Sequence, residues 1–298
     1  MIYTFMRNNS TQFEVKRMAQ VFNVSRAGYY KSIDRKDSKR ECVNKELLVQ
    51  IKLIYKRNRE IYGSPRIHIE LKKLGVLCSR RRVARLMQSN KIRARMRKKW
   101  KVSDKACKDM TRIAPNIVNQ VFKAPSLNMV WVSDITYTWT DEGWLYVATI
   151  MDLFSRKIVG LAMGDQIDTN LIKRALAQAM CHRKPQSGLV LHSDRGSQYT
   201  SHEYKQVTGI QGIQLSMSAK GYCYDNAAME SFYHTLKTEH TYFHKYQTRQ
   251  EAAQSIFEYI EVFYNRQRIH STLGYLSPDE FEKQHDTQPK YLQIGAVG

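Results

Sequence analysis

Nowhere in the 298-residue chain is there a run of the ~18 apolar residues that a membrane-crossing helix needs. Its first residues, MIYTFMRNNS, lack the basic-then-apolar order of a secretory signal. Together these absences predict a cytoplasmic, nucleoid-associated protein with no membrane partner. Cysteine is scarce: five residues, at 42, 78, 107, 181 and 223, with no C-x-x-C pair and an odd total. That excludes a zinc ribbon and a disulfide framework. Cys181 and His182 are adjacent, but i and i+1 side chains diverge on a helix, so they read as ordinary helix residues. Acidic residues are nearly missing from the front of the chain. Residues 1–122 hold 9 Asp+Glu against 31 Lys+Arg, whereas residues 123–298 hold 18 against 17. The net charge of +21 therefore sits in the front half. A basic half joined to a neutral one implies a polyanion-binding region attached to something else. The basic stretches do not face broad apolar helix surfaces, so nucleic acid fits better than a membrane surface. Hydrophobic residues at 42%, with 18 Tyr, suit a folded chain.

What is present falls into segments. In residues 1–40, the stretch FEVKRMAQVFNVSRAGYYKSI places Val15, Met18, Ala19 and Phe22 at helical spacing. Asn23-Val24-Ser25 then breaks the pattern, with Ser25 as N-cap of a second short helix. This matches either a helix-turn-helix or a plain helical hairpin. In the first case Arg26, Tyr29, Tyr30 and Lys31 lie on the recognition helix. Residues 41–100 form a second helical, helix-turn-helix-like unit. A helix over 44–59 has Leu47, Leu48, Ile51, Ile54 and Tyr55 as its apolar face. Ser64-Pro65 supplies an N-cap and first-turn proline for a helix that Gly75 closes. Ser79 caps RRRVARLMQSN, which turns Val83, Leu86 and Met87 inward and leaves Arg80, Arg81, Arg82 and Arg85 for phosphates. The run KIRARMRKKWKVSDKACK has Asp104 as its only acid and is too charged to pack. Its Arg93, Arg95, Arg97, Lys98 and Lys99 suit contact with a phosphate backbone. Residues 101–122 are a basic linker, with the boundary near Pro115 and Asn116.

From residue 123 the period changes. NMVWVSDITYTWT, WLYVATI and KIVGLAM read as three strands, with turns at Asp141–Gly143 and Asp152–Arg156. LIKRALAQAM is a helix, GLVLHSD a buried strand, 200–208 a short helix and IQLSM a strand. DNAAMESFYHTLKTEH is a helix capped by Asp225, and 248–265 a last long one. Three antiparallel strands followed by alternating helices and strands give an α/β fold, a ribonuclease-H-like mixed sheet with flanking helices, over residues 123–285. Residues 286–298 are a tail. Three acids stand out within this core. Asp134 is in the first strand, Asp194 ends the buried strand, and Glu230, after an interval of 35 residues, lies in the following helix. A carboxylate in an apolar strand is costly to bury unless paired or metal-bound. Mg²⁺ prefers hard oxygen ligands. Two such ions ~3.5–4 Å apart can activate the attacking oxygen and stabilise the leaving one in phosphodiester displacement. Asp152, at a bend between strands, reads as an Asx-turn residue instead. Lys237 lies seven residues after Glu230, about 20° around the helix, where it could hold DNA phosphate beside the ions.

With these residues the chain resembles the DDE transposases of bacterial insertion elements, relatives of retroviral integrase, and more narrowly the second-open-reading-frame product of the IS-three family. The motifs that carry the resemblance are IYGSPRIHIELKKLG, WVSDITYT, MDLFSRKIVG, HSDRGSQYTS, GYCYDNAAMESFYHTLKTE and YNRQRIHSTLGYLSPDEFE, which span roughly residues 44–283. It implies Asp134, Asp194 and Glu230 as catalytic triad and metal ligands, two Mg²⁺ ions with Mn²⁺ as substitute, and Lys237 as a DNA contact. It implies double-stranded DNA as partner, both element terminal inverted repeats and target, a homo-oligomer on DNA, and a frameshift fusion with an upstream reading-frame product. No sustained heptad zipper is visible, and the zinc-binding His/His/Cys/Cys module of retroviral integrases is absent. Two other readings stay open at this level: a DNA-binding regulator with a silent core, and a nuclease that cleaves without joining.

Overall fold

A computed structural model describes residues 1–33, 37–96, 114–118, 124–218 and 226–286. Arg97, Lys98, Lys99, most of the expected linker, Asp225 and the tail from 287 lie outside the described residues. Three short helices open the chain: α1 (Ile2–Asn8), α2 (Val15–Val21) and α3 (Arg26–Ile33). The last two match the predicted pair. α1 is an addition, built around Met6, which is fully buried with Met18, Ala19 and Tyr29. Ser25 caps α3, its Oγ accepting the Gly28 N–H at 3.0 Å.

A second trio follows: α4 (Lys39–Arg57), α5 (Ser64–Lys73) and α6 (Arg80–Ser89). α4 starts earlier than its apolar spacing predicts because Ser38 and Glu41 form a capping box, each side chain accepting the other's backbone N–H at 3.2 and 2.7 Å. On α5 the cap is Gly63 rather than Ser64, which is itself the first helical residue. Pro65 is tolerated there because the N–H it lacks would have no helical partner. Ser79 caps α6 as expected, accepting the Arg82 N–H at 3.2 Å.

The remaining elements are β1 (Val130–Thr140), β2 (Gly143–Asp152), β3 (Ile158–Gly164), α7 (Thr169–Arg183), β4 (Val190–Ser193), α8 (His202–Ile210), β5 (Gln214–Met217), α9 (Ala227–Glu239), α10 (Arg249–Phe257) and α11 (Pro278–Asp286). α10 runs on into a π-helical stretch, Glu258–Tyr264. α11 was not anticipated. Its start is fixed by a capping box in which the Ser277 and Glu280 side chains accept each other's backbone N–H at 3.2 and 2.8 Å.

The strands form one sheet in the order β3-β2-β1-β4-β5. β1 and β2 are an antiparallel hairpin in register from Trp131↔Asp152 to Thr140↔Gly143, and β3 extends it antiparallel. β4 joins β1 in parallel over Val130–Val132, and β5 joins β4 in parallel. This is the ribonuclease-H-like mixed sheet, with an all-α region before it. Strand alternation divides the core. Trp131, Ala148 and Ile150 pack with α7, while Val132, Val147 and Met151 pack with α9, α10 and the helical trio. Gly160 lets β3 and α7 touch, since a Cβ there would meet the Ala175 carbonyl oxygen at 2.4 Å.

The α4–α6 trio shares a buried cluster with the sheet domain instead of hanging from it. Leu47, Ile51, Ile67, Leu71, Val83 and Met87 belong to the same cluster as Phe232, Tyr259 and Phe263. The Tyr62 hydroxyl accepts the Ile269 N–H at 2.9 Å across the join. Residues 114–118, expected in the linker, lie along β5: the Ile117 N–H donates to Ser216 Oγ at 2.9 Å and the Met217 N–H to the Pro115 carbonyl at 3.3 Å. No described helix is long and apolar enough to cross a membrane.

Candidate active site

Each of the three acids is delivered by a different element. Asp134 lies in β1 just past the point where β4 stops accompanying it, so its side chain stands at an open notch in the sheet. It is half-buried, and the Ile135 N–H donates to its Oδ1 at 2.8 Å. Asp194 is the residue after β4, at an exposed position, and accepts the Gly196 N–H at 3.0 Å. Glu230 is exposed in the first turn of α9.

Asp134 feels the charge of both other acids. Burial, then the negative charges of Asp194 and Glu230, push the Asp134 carboxyl well above the ordinary carboxylate range, against the Ile135 hydrogen bond and the Lys237 ammonium. Such a set is anionic, oxygen-only and self-repelling, which is the donor chemistry that a hard divalent cation satisfies. As they stand the carboxylates are not closed into a coordination shell. Among the described residues no three His, Cys, Asp or Glu side chains converge tightly enough to hold a metal ion. The site is open on the Asp194 and Glu230 side, as a polymeric substrate requires.

Several positioning residues escaped the sequence reading. Tyr233, one turn after Glu230, donates its hydroxyl to the Asp134 carbonyl oxygen and pairs with Thr149 Oγ1 at 2.8 Å. It thereby pins α9 to the two central strands at the height of Asp134. Ser133 is held by the Tyr199 hydroxyl at 2.8 Å and by Asn226, whose Nδ2 donates to the Ser133 carbonyl at 3.3 Å. Beside Asp194, buried His192 ties β4 to β5 through Ser216 Oγ at 2.8 Å and Ser218 Oγ at 3.3 Å.

Lys237 is half-buried on α9, its ammonium 4.9 Å from the centre of the Tyr137 ring. Asp152 is fully buried. Its carboxylate accepts the Phe154 N–H at 2.9 Å, which is the expected Asx turn, and the Asn128 N–H at 2.8 Å, and it faces Arg183 at 3.5 Å.

The candidate DNA contacts divide. Arg26 and Lys31 are exposed on α3, as are Arg80, Arg81 and Arg85 on α6 and Arg93 beyond it. Tyr29 must be withdrawn: it is 3% exposed, packed on Met6 and Met18, because the three-helix unit spends this ring on its core. Arg82 is half-buried and donates to Asn44 Oδ1 at 2.8 Å, bracing α6 on α4. Arg95 pairs with Glu60 at 3.4 Å and lies over Phe243, 4.6 Å from the ring centre. Cys181 is an exposed free thiol on α7, and no metal group forms around it among the described residues.

A mixed sheet of this order, with one acid on its central strand β1, one just after the neighbouring parallel strand β4 and one on α9, defines the class: an integrase-core DDE enzyme. Family comparison agrees, matching the integrase core domain over residues 124–223 and 230–285 and an HTH-like domain over 43–100. The chain is 44% identical over 279 residues to the insertion element IS600 uncharacterized 31 kDa protein of Shigella sonnei, covering 94% of this chain and all of that one. It is 35% identical over 287 residues to the transposase InsF for insertion sequence IS3A of Escherichia coli (strain K12), covering 96% and 99%. A simian T-cell lymphotropic virus intasome structure, in complex with PP2A regulatory subunit B56 gamma, aligns over 84% of this chain and 78% of its own, at 12% identity and a TM-score of 0.48. The chain belongs to the transposases of IS3-family insertion elements.

Proposed function

We propose that Asp134, Asp194 and Glu230 are the catalytic carboxylates with which this transposase cuts DNA at the ends of its element and joins the freed 3′-end to a new phosphodiester. The observation that carries this reading is the placement of the three acids: Asp134 on β1, Asp194 at the end of the neighbouring parallel strand β4, and Glu230 on α9, which Tyr233 ties to the Asp134 carbonyl. Held by these three side chains, two divalent cations (Mg²⁺, or Mn²⁺ in its place) would supply charge neutralisation and Lewis acidity for in-line displacement. The chain's own residues do the rest. Tyr233 and Ser133 fix the height of Asp134, the Gly196 N–H orients Asp194, and Lys237 steers phosphate toward the carboxylates. No protein nucleophile is needed, since water attacks in cleavage and a DNA hydroxyl in joining.

The exposed arginines of α6 hold the duplex through its phosphates, and α3, with Arg26 and Lys31 exposed, is the helix suited to read the ends of the insertion element. Terminal inverted repeats and target DNA are the two duplexes so bound. Because two ends must meet, the working unit is a homo-oligomer on DNA, and a fusion with an upstream reading-frame product is its fuller form. The test is a strand-joining assay on labelled DNA carrying the parent element's ends. Joined products in Mg²⁺ or Mn²⁺, absent with chelator, support the reading. Cleavage without joining would indicate a nuclease, and binding with neither a regulator.

A further inference from the structure

The end of the β1–β2 hairpin carries an exposed aromatic group that the triad does not use. Trp139 is 55% exposed, Trp144 42% and Tyr137 37%. Trp139 and Trp144 are a direct cross-strand pair, their ring centres 4.8 Å apart at 79°, and Tyr137 meets Trp144 at 4.9 Å and 80°. Each T-shaped pair leaves at least one face of each ring uncovered by its partner. A hairpin already built into a five-stranded sheet does not need two solvent-facing tryptophans for stability.

The platform is rigid and flanked by cations. Arg249, at the start of α10, donates from Nε to the Trp144 carbonyl at 3.0 Å and from its backbone N–H to Glu142 at 2.8 Å. The Asp141 N–H donates to the Tyr246 carbonyl at 3.1 Å, bolting the turn to the same region. The turn's own acids, Asp141 and Glu142, lie beyond the tryptophan pair, and Glu142 is engaged by Arg249. On the other side, Lys237 of α9, the helix that carries Glu230, lies over the Tyr137 ring at 4.9 Å from its centre, so a cation stands between the aromatic group and the carboxylates.

Resting on the transposase reading above, we infer that Tyr137, Trp139 and Trp144 form a base-stacking subsite that receives an unpaired DNA base next to the scissile phosphate. Cations beside exposed aromatic faces are the pairing that single-stranded nucleic acid selects, phosphate to the charge and base to the ring. A base lodged there would draw the strand end out of the duplex and toward Asp134.

The experiment uses the full chain, wild type beside Trp139→Ala/Trp144→Ala and Trp139→Phe/Trp144→Phe. Element-end duplexes carry 5-iododeoxyuridine at the base flanking the cut, either paired or mismatched. Irradiated in Ca²⁺, the wild-type complex should cross-link through the segment holding Trp139 and Trp144. The Ala variant should lose that cross-link and join paired ends about tenfold more slowly, recovering on mismatched ends and in the Phe variant. The Ala variant should melt somewhat lower, since the half-exposed rings also contact each other and Tyr137, and its recovery on mismatched ends separates the stacking role from that loss. Cross-links mapping elsewhere, or equal joining of paired ends by the Ala variant, would overturn the subsite alone. A changed oligomeric state with unchanged DNA steps would make this a protein contact and likewise overturn it. Wild-type protein that joins no ends in Mg²⁺ would overturn the transposase reading together with the subsite.

Discussion

Glu239, at the end of the helix that carries Glu230, is buried beside two guanidinium groups. Arg268 gives it two hydrogen bonds of 2.7 Å, Arg66 approaches to 3.6 Å, and the Tyr259 hydroxyl donates at 2.9 Å. Three segments prominent in the sequence, IYGSPR, HTLKTE and YNRQRIH, therefore meet on one carboxylate. Burial alone would raise its affinity for a proton, but these partners outweigh burial and hold the carboxyl below its ordinary value. A depressed carboxylate contributes stability that is fully present above the ordinary carboxylate range and is lost as pH falls through the folded value. Replacing Glu239 with Gln strands the buried Arg268 and removes the partner of half-buried Arg66, so we expect a loss of about 3–5 kcal/mol near neutral pH. The gap between wild type and Glu239→Gln in denaturant titrations should narrow below about pH 4. A gap that stays constant with pH would show that the pair is not what stabilises this join.

At the scale of elements, Gly160 sets how closely β3 approaches α7. An alanine there would bring its methyl against the Ala175 carbonyl and 3.0 Å from the Ala179 methyl. We expect Gly160→Ala to cost about 1–3 kcal/mol, read as a fall in thermal midpoint, without altering metal dependence. Removing the Ser38 cap of α4 should cost about 1 kcal/mol. The strands were legible in the sequence because β1 and β2 are runs of β-branched and aromatic residues bounded by turn signals, and Asp134 and Asp194 were legible because one acid interrupts an apolar strand and the other ends one. α1 was not, since it buries Met6 alone, too little for a periodic signal. Nor was α11, whose start depends on a capping box in a polar segment. Tyr233 was invisible as a positioning residue because its partners, Thr149 and the Asp134 carbonyl, are 84 and 99 residues away. Only the sheet register brings them together. Tyr29 was misread for the same reason: helical spacing puts it near the turn but does not say which side the preceding helix covers.

Across the whole molecule, the basic α4–α6 trio shares a buried cluster with the sheet domain that carries the three acids, while α1–α3 pack on a cluster of their own. In the proposed function the basic front half would supply the phosphate contacts and the near-neutral back half the three carboxylates. Affinity for DNA should fall steeply with salt, and Arg80→Ala/Arg81→Ala/Arg85→Ala should flatten the log-affinity against log-salt slope by roughly 0.9 for each phosphate left unneutralised. An unchanged slope would remove α6 from the DNA-binding surface. Because α4–α6 share buried side chains with α9, weakening that shared core should lower DNA binding and strand joining together.

The most direct test of the central claim is strand joining by Asp134→Asn, Asp194→Asn and Glu230→Gln on the same end-bearing DNA, with DNA affinity and thermal midpoint measured beside it. Each substitution should abolish both cleavage and joining in Mg²⁺ and in Mn²⁺ while leaving binding and folding intact. Cleavage or joining that persists in any one of the three would contradict a carboxylate triad at this notch.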